Sequence, residues 1–246
     1  MSDIEAVLKT GEQTSESSGE AFELGEQTLQ HGEKGLDRGK EALGARPPAL
    51  EPDEREPAAG VGDPEEDEEL DPEVRERRDR ALAQVRKLGD PVLRAKALPV
   101  ERFDAALAAE VQKMGVLMAD ALGIGLAATQ IGVLHRVLVY RTDPEDPVVA
   151  LVNPVLEWCS EETESAEEGC LSIPGARVDV ERPARIAVRA QDVEGEWVRL
   201  SADGLEARVI QHELDHLEGV LILDRISREQ RRQAMKAVRR ALEEDA

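Results

Sequence analysis

Residues 211–219 read QHELDHLEG, with two histidines four apart and a glutamate directly after the first. On a helix, positions i and i+4 share one face, so His212 and His216 can grip a single metal ion. Glu213 then stands beside that ion, where a base for an activated water must sit. The chain has only four histidines, which makes a chance pairing at this spacing a poor explanation. The chemistry this pattern serves is metal-assisted hydrolysis.

Two ligands do not complete such a site, since catalytic zinc-type centres use three protein ligands and one open position. The metzincin pattern HExxHxxGxxH is matched as far as Gly219, but Ile222 stands where its third histidine belongs. Downstream, Asp224, Glu229 and the terminal acids offer no compelling ligand. The third ligand is therefore expected upstream, in EEGCLSIPG. Cys170 there is a soft thiolate donor for zinc or ferrous iron, and Gly169 permits close backbone approach. On residue type alone, a buried inert thiol fits Cys170 equally well. Cys159, in the apolar run VLEWCS, is expected to be a buried strand residue. A third segment, GIGLAATQ at 123–130, supplies small residues suited to the floor of a groove. Its Gln130 amide can be aimed at a developing oxyanion, though taken alone the segment is better explained as a glycine-stopped helix end. The phosphate-binding glycine spacings are absent.

Together GIGLAATQ, EGCLS and QHELDHLEG, in this order, resemble the peptide deformylases. The similarity runs from RKLGDPVLR at 86–94 to about Ile226. The resemblance implies that Cys170, His212 and His216 bind one divalent metal ion, usually ferrous, with zinc, nickel or cobalt also suited to the donor set. It implies Glu213 as general acid and base, and Gln130 with the Leu171 N–H as oxyanion donors. Ile124, Gly125, Glu168 and Gly169 would line a groove that holds the peptide as an added strand, with Arg177 near the bound peptide. The implied substrate is the N-formylmethionyl end of a nascent peptide. The rival readings are a zinc endopeptidase, weakened by Ile222, and a silent ribosome-associated homologue, weakened by the presence of Glu213 and Cys170.

The elements that must carry these groups read as α+β. Antiparallel β-sheets are expected to pack around a central HExxH-bearing helix, followed by a C-terminal helix. A charged helix or its approach is expected over 71–88. A stronger one spans 100–122, with Phe103, Leu107, Val111, Met114, Met118 and Leu122 at helical spacing. Strands are expected at 135–140, 149–158, 176–182, 184–191 and 196–201. His135 reads as a surface or groove-edge residue. Asp203-Gly204 reads as a turn with the motif helix directly after it. Ser227 and Gln230 form a capping box for the last helix, 227–244. Six cations from Arg228 to Arg240 make that helix basic, and in similar deformylases such a helix docks on the ribosome.

Charge is uneven. The chain's net charge is −22, and residues 1–80 hold 24 acids against 10 bases. That segment has one aromatic residue, Phe22, and the run PEEDEELDPE. It is expected to be a disordered extension, because it cannot bury enough apolar surface to offset its chain entropy. Phe22, Leu29, Leu36 and Leu43 recur every seven residues, but the glycines in step with them oppose a coiled coil. The hydrolase domain is assigned to 81–246. No secretory signal or membrane span is visible. A thiolate ligand suits the reducing cytoplasm, and no sequence-specific nucleic-acid binding is expected.

Overall fold

A computed structural model describes residues 70–244 of the chain. The heptad-spaced residues and most of the acidic extension lie outside them. The first helix, α1 (Pro72–Leu82), starts where Asp71 accepts from the Glu73 N–H at 2.8 Å and Pro72 occupies the first turn. It takes in residues 72–80, assigned to the extension on composition, and buries Ala81. It ends six residues before the expected limit at 88. A short 3-10 turn follows at Pro91–Arg94.

Helix α2 (Ala105–Asp120) is shorter than the expected 100–122. Asp104 caps it, accepting from Ala106 and Leu107 N–H at 3.0 and 3.2 Å. These two bonds hold its carboxyl below the usual range. Leu107, Met114 and Met118 are buried as the periodicity requires, whereas Leu122 lies past the helix end at φ 58° and is exposed.

Seven strands follow. They are β1 (Gly125–Ala127), β2 (Val137–Tyr140), β3 (Val149–Cys159), β4 (Thr163–Glu168), β5 (Val178–Pro183), β6 (Arg185–Gln191) and β7 (Trp197–Asp203). One five-stranded antiparallel sheet has the order β1-β2-β3-β6-β7, and β4 pairs with β5 alone. β1 and β4 were not anticipated: the first is three residues long, and TESAEE carries no apolar alternation. Cys159 falls on β3 as expected but is exposed, because β3 runs past the core and its outer half faces solvent. His135 precedes β2, is exposed, and pairs with Glu110 at 2.8 Å.

Around β2 the large sheet is covered on both faces. Successive β2 side chains alternate sides, and all four are buried. Val137 and Val139 pack with Leu107, Met114 and Met118 of α2. Leu138 and Tyr140 pack with Ala207, Ile210, Leu214 and Leu217 of the next helix, α3 (Gly204–Leu217). That helix bears the HELDH residues and begins directly at the end of β7. It stops at Gly219, whose φ of +73° ends the turn and whose added Cβ would lie 2.5 Å from Arg94 O. The glycine that matched a protease pattern is thus a backbone requirement. The last helix, α4 (Arg228–Glu244), opens with the expected Ser227–Gln230 box: Ser227 N–H donates to Gln230 Oε1 at 3.1 Å and Gln230 N–H to Ser227 Oγ at 3.3 Å. It buries Ala234 and Val238 against Ile173, Val178, Val180 and Leu221–Leu223. No helix among the described residues is long and apolar enough to cross a membrane.

Candidate active site and metal centre

Three separate segments deliver the site. Helix α3 presents His212 and His216, whose rings lie 5.0 Å apart at an interplanar angle of 64°. The loop after β4 brings Cys170, whose Sγ is 3.3 Å from His216 Nε2. One ligand atom each from Cys170, His212 and His216 lies within 4.8 Å of the others. The turn at Ala128–Ile131 contributes Gln130, and β1 with the residues before it forms the opposite wall. The cavity over this centre is lined by Gly123, Ile124, Gly125, Gln130, Glu167, Glu168, Gly169, Cys170, Leu171, Leu205, Arg208, Val209, His212 and Glu213.

A thiolate with two imidazoles is a donor set for zinc, ferrous iron, nickel or cobalt, and the convergence of the three fits one such ion. His212 Nδ1 lies 3.0 Å from Glu168 Oε2, which leaves Nε2 for a metal. A carboxylate behind a ligating histidine fixes its tautomer and ring plane in this way. His216 Nδ1 has no protein partner, and burial holds this imidazole well below its usual pKa.

Glu168, grouped with the groove residues by resemblance, touches the cavity but commits its carboxylate elsewhere. Besides His212, it accepts from Arg182 at 2.6 and 2.9 Å and from Arg208 at 2.8 Å. Burial alone would raise its pKa, but the bonds from Arg182 and His212 hold it well below the usual range. Arg182 continues to Asp215 at 3.0 Å, and Asp215 accepts in turn from Arg225. Arg182, Asp215 and Arg208 were not foreseen. Asp215 sits inside the HELDH motif, and its position on the helix was the only available signal. Arg182 carries none, because nothing in a β5 arginine announces that it will be buried.

Glu213 is buried, one carboxylate oxygen lacks a protein partner, and burial pushes its pKa up to about 7. Gly125 makes room for it: a Cβ at 125 would overlap Glu213 Oε1 and lie 2.9 Å from Val209 Cγ1. Gln130 is oriented by its own backbone neighbourhood. Ala127 N–H donates to its Oε1 at 2.8 Å, so the NH2 group must face the other way. That group lies 3.9 Å from Cys170 Sγ and 3.3 Å from Ser172 Oγ. Arg177 does not line the cavity; it pairs with Glu167, which does, at 3.3 Å. The assembled groups can hold a cation, take a proton beside it, and donate hydrogen bonds to a developing negative oxygen.

Comparison with known proteins follows the same segments. The sequence profile described as polypeptide deformylase matches residues 82–232. A peptide deformylase of Parafrankia sp. is 46% identical over 161 residues, covering 65% of this chain and 87% of the relative. One from Thermotoga neapolitana is 49% identical over 145 residues, covering 59% and 87%. Among solved structures, a Synechococcus elongatus peptide deformylase in complex with actinonin superposes with a TM-score of 0.60 at 44% identity. The match covers 62% of this chain and 85% of that one.

Proposed function

The chain belongs to the polypeptide deformylase family, and from that membership we propose how its own residues remove the formyl group from the N-terminal formylmethionine of new polypeptides. Family membership makes it a hydrolase of formyl amides. The observation that carries the finer reading is the convergence of Cys170, His212 and His216 beside the buried Glu213.

Cys170, His212 and His216 would hold the ion. When bound, a divalent ion supplies Lewis-acid activation of water and of a carbonyl oxygen. Glu213 takes a proton from the attacking water through its unpartnered oxygen and later delivers it to the leaving amine. Gln130 Nε2 and the Leu171 N–H donate to the oxyanion of the tetrahedral species. Formate and a free amino terminus result. The substrate backbone lies along β1, which is an edge strand, with Ile124 and Gly125 on one side and Gly169 on the other. Ferrous iron is the metal we assign, and the cytoplasm the compartment, since a thiolate ligand is kept reduced there.

The test uses anaerobically purified protein, metal analysis, and two substrates: an N-formylmethionyl peptide and a blocked internal peptide. Formate release from the first, without cleavage of the second, is the expected result; cleavage of the second would establish an endopeptidase. Cys170→Ala is expected to reduce bound metal from about one ion per chain to near zero. Full metal occupancy in that variant would overturn the ligand assignment.

The basic face of α4 supports ribosome docking near the nascent chain. Arg228, Arg232, Lys236, Arg239 and Arg240 are all exposed. Because Ala234 and Val238 belong to the core, the helix cannot be deleted cleanly. Replacing Arg232, Lys236, Arg239 and Arg240 by glutamine is the appropriate test. Weaker ribosome co-sedimentation at unchanged turnover of short peptides is expected, and unchanged co-sedimentation would remove the reading.

A further inference from the structure

The two proposed oxyanion donors come from separate segments, the 128–131 turn and the loop after Cys170. Their separation decides whether one oxygen can accept from both. Each segment is fixed locally: Ala127 N–H holds Gln130 Oε1 at 2.8 Å, and Ile173 N–H closes onto Cys170 O at 2.9 Å. Neither bond sets the distance between the segments, which meet directly through Gln130 Nε2 and Ser172 Oγ at 3.3 Å.

A third segment, at the start of RKLGDPVLR and outside the three motifs of the site, touches both. Arg86 N–H donates to Gln130 O at 2.7 Å, and Leu88 N–H donates to Ser172 O at 2.8 Å. Between them, Lys87 Nζ donates to Leu171 O at 3.1 Å. The Arg86 guanidinium also lies over Gly132, where an added Cβ would be 2.9 Å from its Nε. Three consecutive residues thus bridge the backbone of one donor segment to that of the other.

We propose that Arg86–Leu88 is a strap that sets the spacing of the two oxyanion donors, with Lys87 as a positioning residue for formyl hydrolysis. The inference rests on the reading of Gln130 and Leu171 as those donors. The physical reason lies in where the ammonium acts. It pins the carbonyl attached to the same Cα as the donating Leu171 N–H, so the loop cannot rotate that N–H away. A hydrogen bond from a charged donor is about twice as strong as a neutral one. Misplacing a reacting partner by about 1 Å can cost roughly a hundredfold in rate.

Lys87→Met, Lys87→Arg and Gln130→Ala are compared in the full-length, metal-loaded enzyme with an N-formylmethionyl peptide. Lys87→Met is expected to lower kcat about tenfold, because the Leu171 N–H is then less firmly aimed, with KM and metal content unchanged and the thermal midpoint lowered by only a few degrees. Backbone hydrogen exchange in a peptide covering 169–174 should quicken in this variant. Lys87→Arg should restore most of kcat and the slow exchange. Unchanged kcat in Lys87→Met overturns the proposal. So does a loss of kcat that tracks a lower thermal midpoint and is not rescued by arginine. Gln130→Ala separates the two layers: if it leaves kcat intact, the oxyanion reading falls, and the strap with it. If it lowers kcat while Lys87→Met does not, only the strap falls.

Discussion

Glu213→Gln is expected to lower kcat for formate release by roughly 10²–10⁴, the usual worth of a positioned acid–base group. Glutamine preserves the volume of the side chain between Gly125 and Val209, so the cavity wall should not move. What it removes is the ability to accept a proton at an oxygen that has no protein partner. Metal content should stay at the wild-type level, because the ligand atoms of Cys170, His212 and His216 are untouched. Stability should hold as well, since burial already disfavours the charged carboxylate there and an amide carries no charge to desolvate. The assay pairs kcat with metal analysis on the same preparation. Full turnover with full metal content would show that the water is activated without Glu213.

The second large effect is structural. Arg182 is 4% exposed and joins two buried carboxylates, Glu168 and Asp215. Arg182→Met keeps the length of the stem but strands these charges with fewer donors. Removing one partner of a buried ion pair costs about 3–5 kcal/mol. Arg208 and Arg225 still reach Glu168 and Asp215 respectively, so the lower end, about 3 kcal/mol, is expected. For a folded part of this size that is a fall of roughly 10 °C in thermal midpoint. Glu168, less firmly held, would orient His212 less well, and loss of such outer support weakens metal binding by about 10–100-fold. Thermal unfolding at matched metal content and competition against a chelator read the two effects separately. A variant as stable as the wild type would show that the arginine offsets only its own desolvation.

Much of the fold was legible because periodicity reports on burial. β2, β3, β5, β6 and β7 were anticipated to within a few residues, and α2 was recognised from Leu107, Met114 and Met118. The failures share a cause. β4 is polar throughout its length except Ala166, because it pairs only with β5, and a two-stranded sheet leaves most of its residues to solvent. Cys159 reads as a core residue, yet β3 extends beyond the elements that cover it. Leu122 continued the apolar spacing from Met118, two residues past the helix's last residue, Asp120. In each case, composition described the side chain and packing decided its surroundings.

By itself, the sequence determined the donor types and the local half of the centre. The i, i+4 spacing of His212 and His216, with Glu213 between, fixes their common face through helix geometry alone. Three motifs in order were enough to indicate the family. Only the tertiary structure decided which partners those groups meet. Cys170 reaches His216 across 46 residues, Glu168 meets His212 as well as lining the cavity, and Arg182 joins it to Asp215. Contacts within a few residues are dictated by the dihedral angles of one element. Contacts between elements depend on how sheets and helices close over a shared core, and one chain's residue order carries no periodic signal of that closure.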